Sequence, residues 1–466
     1  MLDTLLQREG VTLTPDQDEA LRLFFGYLKE GGPRNVFLLT GSAGTGKTFM
    51  IQLFRQVLKQ YNHEVMLLAP TGQAAKVVTR RTQRLAYTIH HHIYSPMESG
   101  FGGDVRFMLK PNKETRSVAY LVDEASMIGD QIEGTSSRLL TDLLEFVFDE
   151  DSHRKLILVG DPVQLPPVGL AESPALSPEL LRKQRVGVTH AHLHTVLRQE
   201  ADSGILENAV RVRDAFLSHI YEDPEIVPSR DVMALEGMWE GIEEFVSRYD
   251  RRRPDQAVML TYSNAFATKL NQQIRYNLYE EECPIREGDL VVVMRNNYAW
   301  GDKKRFPFIA NGELGRVTEV FEESREKRYG LEWMDLTIEF TDAGGEPYHV
   351  TAKAPLDLLN SKETQLQGGV MDRLQTERRD ELSRIHATKG AFLDAVRTDP
   401  YLQALQIKYG YAMTVHKSQG GQWETAIVAF ERDYGNDPQA YLRWTYTAIT
   451  RAASRLGLVG CPFVQG

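Results

Sequence analysis

The stretch Asn35-Val36-Phe37-Leu38-Leu39-Thr40-Gly41-Ser42-Ala43-Gly44-Thr45-Gly46-Lys47-Thr48 decides the fold. Its first six residues read as a buried strand, and Lys47 to Gln60 reads as a helix with apolar residues at helical spacing. Between them lies GxxxxGK[ST], a spacing at which a glycine-rich turn wraps phosphates in backbone N–H groups. Gly41, Ser42, Ala43, Gly44, Thr45 and Gly46 form the expected cradle, Lys47 supplies a cation to the β- and γ-phosphates, and Thr48 offers a hydroxyl to Mg2+. The strand before and the helix after distinguish this loop from a chance glycine turn.

Working outward, Val65 to Ala69, Val118 to Val122 and Lys155 to Val159 are further aliphatic runs separated by helical stretches. That alternation predicts an α/β fold with parallel sheets. The pattern lapses between Ser95 and Arg116, read as a small insertion with isolated Phe101 and Phe107. It returns at Ala257 to Tyr262 and at Thr425 to Phe430. Between these two, Asp289 to Met294, Gly315 to Val320 and Met334 to Phe340 read as short strands of a small barrel, and Asp372 to Lys389 as helical.

The chain has 466 residues, 54 Lys+Arg and 64 Asp+Glu, a net charge of −10. The length fits two to four domains, and the composition is that of a globular protein. No apolar run is long enough for a membrane span, and Met1 to Gly10 has no signal-peptide pattern, so a cytoplasmic location is expected. Cys283 and Cys461 lie in no CxxC pair, which excludes a zinc ribbon. His90-His91-His92 cannot converge on one metal from a single element, and a zinc site is rejected. The acidic excess argues against wholesale coating of duplex DNA but leaves room for a local cationic track.

A phosphate loop needs carboxylates for metal and water. Leu121-Val122-Asp123-Glu124 ends a strand in two acids, with Asp123 suited to the Mg2+ shell and Glu124 to activating water. Together with Gly160-Asp161-Pro162-Val163-Gln164-Leu165 after the next strand, these motifs resemble the superfamily 1 helicases, in particular their RecD-like and Dda-like branch. Further segments match the family's order across nearly the whole chain. Leu13 to Gln17 is similar to its adenine-reading segment, and Ala69 to Ala75 and Thr88 to His90 to its first strand-contacting motifs. Leu197-Arg198-Gln199, Thr414 to Gly420 and Tyr446 to Ala452 resemble motifs of its second motor domain.

The resemblance implies two RecA-like motors, a pin-like insertion and an SH3-like accessory domain. The expected division is 1–94 with 117–195 for the first motor, 95–116 for the pin, 196–284 with 406–466 for the second motor, and 285–405 for the accessory domain with a helical extension. It further implies an ATP-dependent DNA helicase moving 5′→3′ on single-stranded DNA, with ATP and Mg2+ between the motors. Gln17 reads adenine, whose edge demands a donor and an acceptor together. Gln164 senses the γ-phosphate or its attacking water, and Arg198 and Arg451 reach that phosphate when the motors close. Gln422 stands where relatives often carry an acid toward ribose, so a neutral contact is expected there. Trp423 is read as core.

The implied DNA floor comprises Pro70, Thr71, His90, Asn264, Thr414, His416 and Lys417, with Phe101 or Phe107 as a wedge at single-strand/duplex junctions. A monomer working with single-strand-binding, replication or repair proteins completes the expectation. Two alternatives stay open from the sequence: a translocase that strips proteins or remodels RNA without unwinding duplex, and a non-catalytic nucleotide-dependent clamp.

Overall fold

The computed structural model describes residues 12–30, 32–97, 106–114, 116–130, 138–148, 153–197, 203–218, 224–253, 256–280, 283–301, 308–342, 344–366, 368–386, 388–431 and 437–464. The first part of the chain lays down β1 (Asn35–Gly41), β2 (Glu64–Ala69), β3 (Ala86–Thr88), a hairpin of β4 (Tyr94–Met97) and β5 (Arg106–Leu109), then β6 (Val118–Val122), β7 (Lys155–Gly160) and β8 (Gly187–Leu193). Apart from the hairpin they form one parallel sheet in the order β3-β2-β6-β7-β1-β8. Strands β6 and β7 are buried along their whole length, as a sheet with helices on both faces requires.

One face of this sheet packs on the helices Pro15–Glu30 and Lys47–Gln60. Phe24, Phe37 and Phe54 meet there, with Phe24 and Phe54 stacked at 4.1 Å between centroids and Phe37 edge-on to both. The other face is closed by Leu139–Phe148 and Ile89–Ile93.

β9 (Val232–Leu235) and β10 (Ala257–Thr261) open a second parallel sheet. The chain then departs into β11 (Leu290–Val293), β12 (Leu314–Arg328), β13 (Leu331–Thr341), β14 (Pro347–Pro355) and β15 (Ile407–Tyr409). It returns as β16 (Ala412–Thr414), β17 (Trp423–Ala429) and β18 (Ala452–Val459). The second parallel sheet runs β16-β10-β17-β18-β9, and Trp423 is buried in its core.

The intervening sheet is antiparallel in the order β14-β13-β12-β11-β15. Two of its strands are longer than the sequence reading, β12 running 15 residues and β13 11, while β11 is shorter, Leu290–Val293. It also recruits Ile407–Tyr409, beyond the expected end at residue 405, because β15 pairs with β11 before the chain turns through Gly410 into β16. Met259, Ile274, Val291, Ile338 and Phe340 belong to one core, so this sheet is packed against the second motor rather than tethered to it. Buried Arg275 and Asp289 brace the junction at 3.0 Å, and Tyr411 donates to the same carboxylate.

The expected helical stretch from 372 to 389 is two helices, Gly368–Ile385 and Lys389–Thr398. Arg378 ties the two helices together by binding Glu381 and Asp399, and they dock on the β12–β13 hairpin through Arg328 and Tyr329, which both reach Glu381. No described helix is long and apolar enough to cross a membrane.

Replacing Phe54 with Ala removes the middle of the aromatic cluster. The first motor should lose about 3–5 kcal/mol, read as faster hydrogen exchange in Pro15–Glu30 and Lys47–Gln60 with the antiparallel sheet unchanged.

Candidate functional site

A cleft of about 1080 Å3 lies between the two parallel-sheet units. It opens at the carboxyl ends of the strands, where α/β sheets place ligands. Ser42, Ala43, Gly44, Gly46, Lys47, Thr48, Asp123, Glu124 and Gln164 line it from the first parallel-sheet unit, and Gly420 to Gln422, Thr450 and Arg451 from the second.

The loop after β1 turns into its helix at Gly46, whose φ of 84° is left-handed and suits glycine. Lys47 Nζ donates to the carbonyls of Gly41 (2.7 Å) and Ser42 (2.8 Å) and lies 3.9 Å from Asp161. Gln17 sits beneath the loop rather than in the cleft lining: its Nε2 donates to Thr45 O at 3.1 Å and its Oε1 accepts from Thr14 N. Glu124 holds a left-handed φ of 54° and donates its N–H to Asp123 at 2.8 Å. Burial, followed by the charge of Glu124, pushes the Asp123 carboxyl up to about 6.

Gln164 is buried, and its carboxamide oxygen has no hydrogen-bond partner among the described residues. Such an acceptor fits a water or an incoming hydroxyl group. Arg451 is also buried, donating to Thr447 O, Gly421 O and Thr450 Oγ1. Burial lowers its pKa against the opposing pull of Glu124 and Asp161. Arg198 lies outside the described residues. The segment before it is fixed: His194 and Thr195 N–H groups donate to Asp16 (2.6 and 2.8 Å), and Leu197 N–H to Gly44 O (3.0 Å).

Several contacts around the phosphate loop could not be read from the sequence. Arg81 donates to Thr48 Oγ1 at 3.0 Å and to Gln422 Oε1 at 2.5 Å, bridging the motors. Tyr446 accepts from Ala43 N–H at 2.7 Å and donates to Asp161 at 2.6 Å. Arg213 donates to Ser42 Oγ at 2.9 Å. Each pairing joins residues far apart in the chain, where spacing says nothing.

The residues assigned to DNA gather at one edge of each parallel sheet. Thr71, Thr88, Ser263 and Thr414 cap the helices that follow β2, β3, β10 and β16, each side-chain oxygen accepting from a backbone N–H three residues on. Strands β3 and β2 are neighbours at the edge of the first sheet, as β16 and β10 are in the second. Pro70, His90, Asn264 and His416 are part-buried around these helix starts. The two groups meet at Gly420, where an added Cβ would lie 2.6 Å from Ala74 and 3.2 Å from Thr71 Oγ1.

Burial lowers the pKa of His90 and His416, and brings Lys417 down to about 8. His92 packs against Tyr120 and Phe146 while His90 faces Tyr94, so the three adjacent imidazoles point into different surroundings. Phe101 lies outside the described residues, and Phe107 is placed by its backbone alone, in β5 opposite Pro96.

Fold and site together define a phosphate-loop protein with two parallel-sheet units flanking one cleft. Residues 12–222 match the AAA domain model and residues 409–459 the UvrD-like helicase C-terminal domain model. The ATP-dependent RecD2 DNA helicase of Deinococcus radiodurans is 25% identical, covering 91% of this chain and 46% of that protein. The ATP-dependent DNA helicase dda of Enterobacteria phage T4 is 23% identical, covering 94% of this chain and 97% of that one. A crystal structure of Pif1 helicase from Bacteroides in complex with ADP-AlF3 and ssDNA covers 98% of this chain and 94% of its own, at 15% identity and a TM-score of 0.49. By these models and relatives the chain is similar to the RecD-like and dda helicases. It spans less than half the length of the first curated relatives it matches.

The raised Asp123 carboxyl has a consequence for stability. Its folded pKa of about 6 exceeds the ordinary 3.8, so between these values the native chain holds a proton that the unfolded chain releases. Stability from this group therefore declines as pH rises through that window and stays reduced above it. Without metal, the melting-temperature gain of Asp123→Asn over wild type should be larger near pH ~7.5 than near pH ~5.

Proposed function

We propose that this chain is an ATP-dependent DNA helicase that moves 5′→3′ on single-stranded DNA and separates duplex ahead of it. The observation that carries the reading is the cleft itself, which gathers a phosphate loop, two carboxylates, a buried glutamine and a buried arginine from two motors. A binding-only clamp needs no such hydrolytic set. The sequence relatives named as ATP-dependent DNA helicases support the same reading.

ATP enters with its phosphates on the backbone N–H groups of residues 42–48, and Lys47 exchanges its carbonyl partners for phosphate oxygens. Thr48 and Asp123 are an oxygen pair suited to Mg2+, which would neutralise phosphate charge. Glu124 orients and deprotonates the attacking water, and Gln164 offers its unpaired oxygen to that water. Arg451, and Arg198 as the resemblance implies, stabilise charge on the departing phosphoryl group when the cleft closes. Gln17 holds the loop from below while its segment borders the base, and Gln422 makes the neutral ribose-side contact.

The DNA track is the row of capped helix starts at Thr71, Thr88, Ser263 and Thr414, with Pro70, His90, Asn264, His416 and Lys417 around them. Helix N-termini attract phosphate through free N–H groups and the helix dipole. Two such starts per motor give two grips, and closing and opening the cleft moves one against the other. The β4–β5 hairpin is read as a pin, with Phe101 or Phe107 at the junction, and the antiparallel sheet with its helices as an SH3-like accessory domain. We place the protein in the cytoplasm, working as a monomer beside replication or repair proteins.

Lys47→Ala should abolish ATP turnover, and Glu124→Gln should keep nucleotide binding while cutting turnover by ~10²–10⁴-fold. Strand separation of matched duplexes with a 5′ or a 3′ tail tests activity and direction together, with unwinding expected on the 5′ tail. ATP turnover stimulated by single strands, with neither duplex opened, would favour a translocase that only strips or remodels.

A further inference from the structure

Arg81 belongs to none of the motifs above. It stands in the last turn of the helix Gly72–Thr82, a position where basic residues are ordinary companions of the helix dipole. Its side chain leaves the helix to enter the cleft, where it lies among the lining residues with Thr48, Asp123 and Gln422. One guanidinium nitrogen donates to the Thr48 hydroxyl at 3.0 Å and another to the Gln422 carboxamide oxygen at 2.5 Å. Its charge also acts on Asp123, favouring the carboxylate.

Thr48 and Asp123 are the oxygen pair that suits Mg2+ in the reading above, and this inference rests on that reading. A hydroxyl that receives a guanidinium N–H at 3.0 Å cannot also take a divalent cation at the ~2.1 Å that Mg2+ demands without bringing two like charges into close approach. Guanidinium and metal therefore exclude one another at this oxygen. Gln422 decides how firmly Arg81 is held. A carboxylate there would form a charge-assisted pair, whereas the carboxamide gives a neutral acceptor from which the guanidinium departs more easily.

We propose that Arg81 and Mg2+ are alternative occupants of the Thr48 hydroxyl, so that Arg81 sets the metal requirement for nucleotide binding in this cleft. With Arg81 in place, its guanidinium supplies positive charge beside the phosphates and the metal must displace it. Without Arg81, the metal meets no competitor, and nucleotide bound in the absence of metal loses a cation.

The test is titration of a fluorescent ADP analogue, first in EDTA and then at stepped Mg2+ concentrations, on wild type, Arg81→Ala, Gln422→Glu and the double variant. Arg81→Ala should lower the Mg2+ concentration for half-maximal enhancement about tenfold and weaken binding in EDTA. Gln422→Glu should raise that concentration several-fold, and the double variant should follow Arg81→Ala. Mg2+ requirements within twofold of wild type in both single variants would overturn the proposal while leaving the cleft reading intact. Failure of wild type to bind the analogue at all would overturn both.

Discussion

A single buried carboxylate joins the parts of this molecule that must act together. Asp161 is wholly inaccessible to solvent, takes the Tyr446 hydroxyl from the second motor at 2.6 Å, accepts the Val163 N–H and lies 3.9 Å from Lys47. A charge so placed is tolerated only while its partners stay in reach. The same Tyr446 oxygen receives the Ala43 N–H, so a phosphate-loop amide is engaged by the opposite motor. Thr447 and Gln419 extend the seam to both backbone atoms of Leu165. The phosphate loop and the seam between the two parallel-sheet units thus share the same few polar groups.

Much of this was legible along the chain because it is local. A strand, a glycine turn and a helix are contiguous, so the loop at Gly41 to Thr48 and the acids at Asp123 and Glu124 could be read from spacing alone. Strand burial was legible for the same reason, since β6 and β7 are unbroken apolar runs. What escaped is contact made across the fold. Nothing near Tyr446 announces Ala43, 403 residues away, and Arg81 sits in an unremarkable amphipathic helix whose end happens to face Thr48. The antiparallel sheet was under-read because β12 and β13 carry many charged residues on their exposed face, which hides strand length, and because β15 arrives from across the domain boundary.

The acidic balance of the chain is compatible with a polyanion partner because the candidate track does not draw on many cations. Its four helix starts are capped by hydroxyls, each satisfied by its own helix. Beside them stand part-buried imidazoles, His90 and His416, whose pKa burial lowers.

The helix Gly72–Thr82 carries Thr71 at its start and Arg81 in its last turn. It is a rod of about 16 Å with Thr71 at one end and, at the other, Arg81 in the cleft lining. A rigid rod fixes angle as well as distance, since each residue turns the helix by about 100°. Adding or deleting one residue between Ala74 and Arg81 would leave both ends chemically intact yet swing the guanidinium away from Thr48. The length of this segment is therefore a matter of rotational phase, and substitutions along its exposed face should be far better tolerated than any insertion.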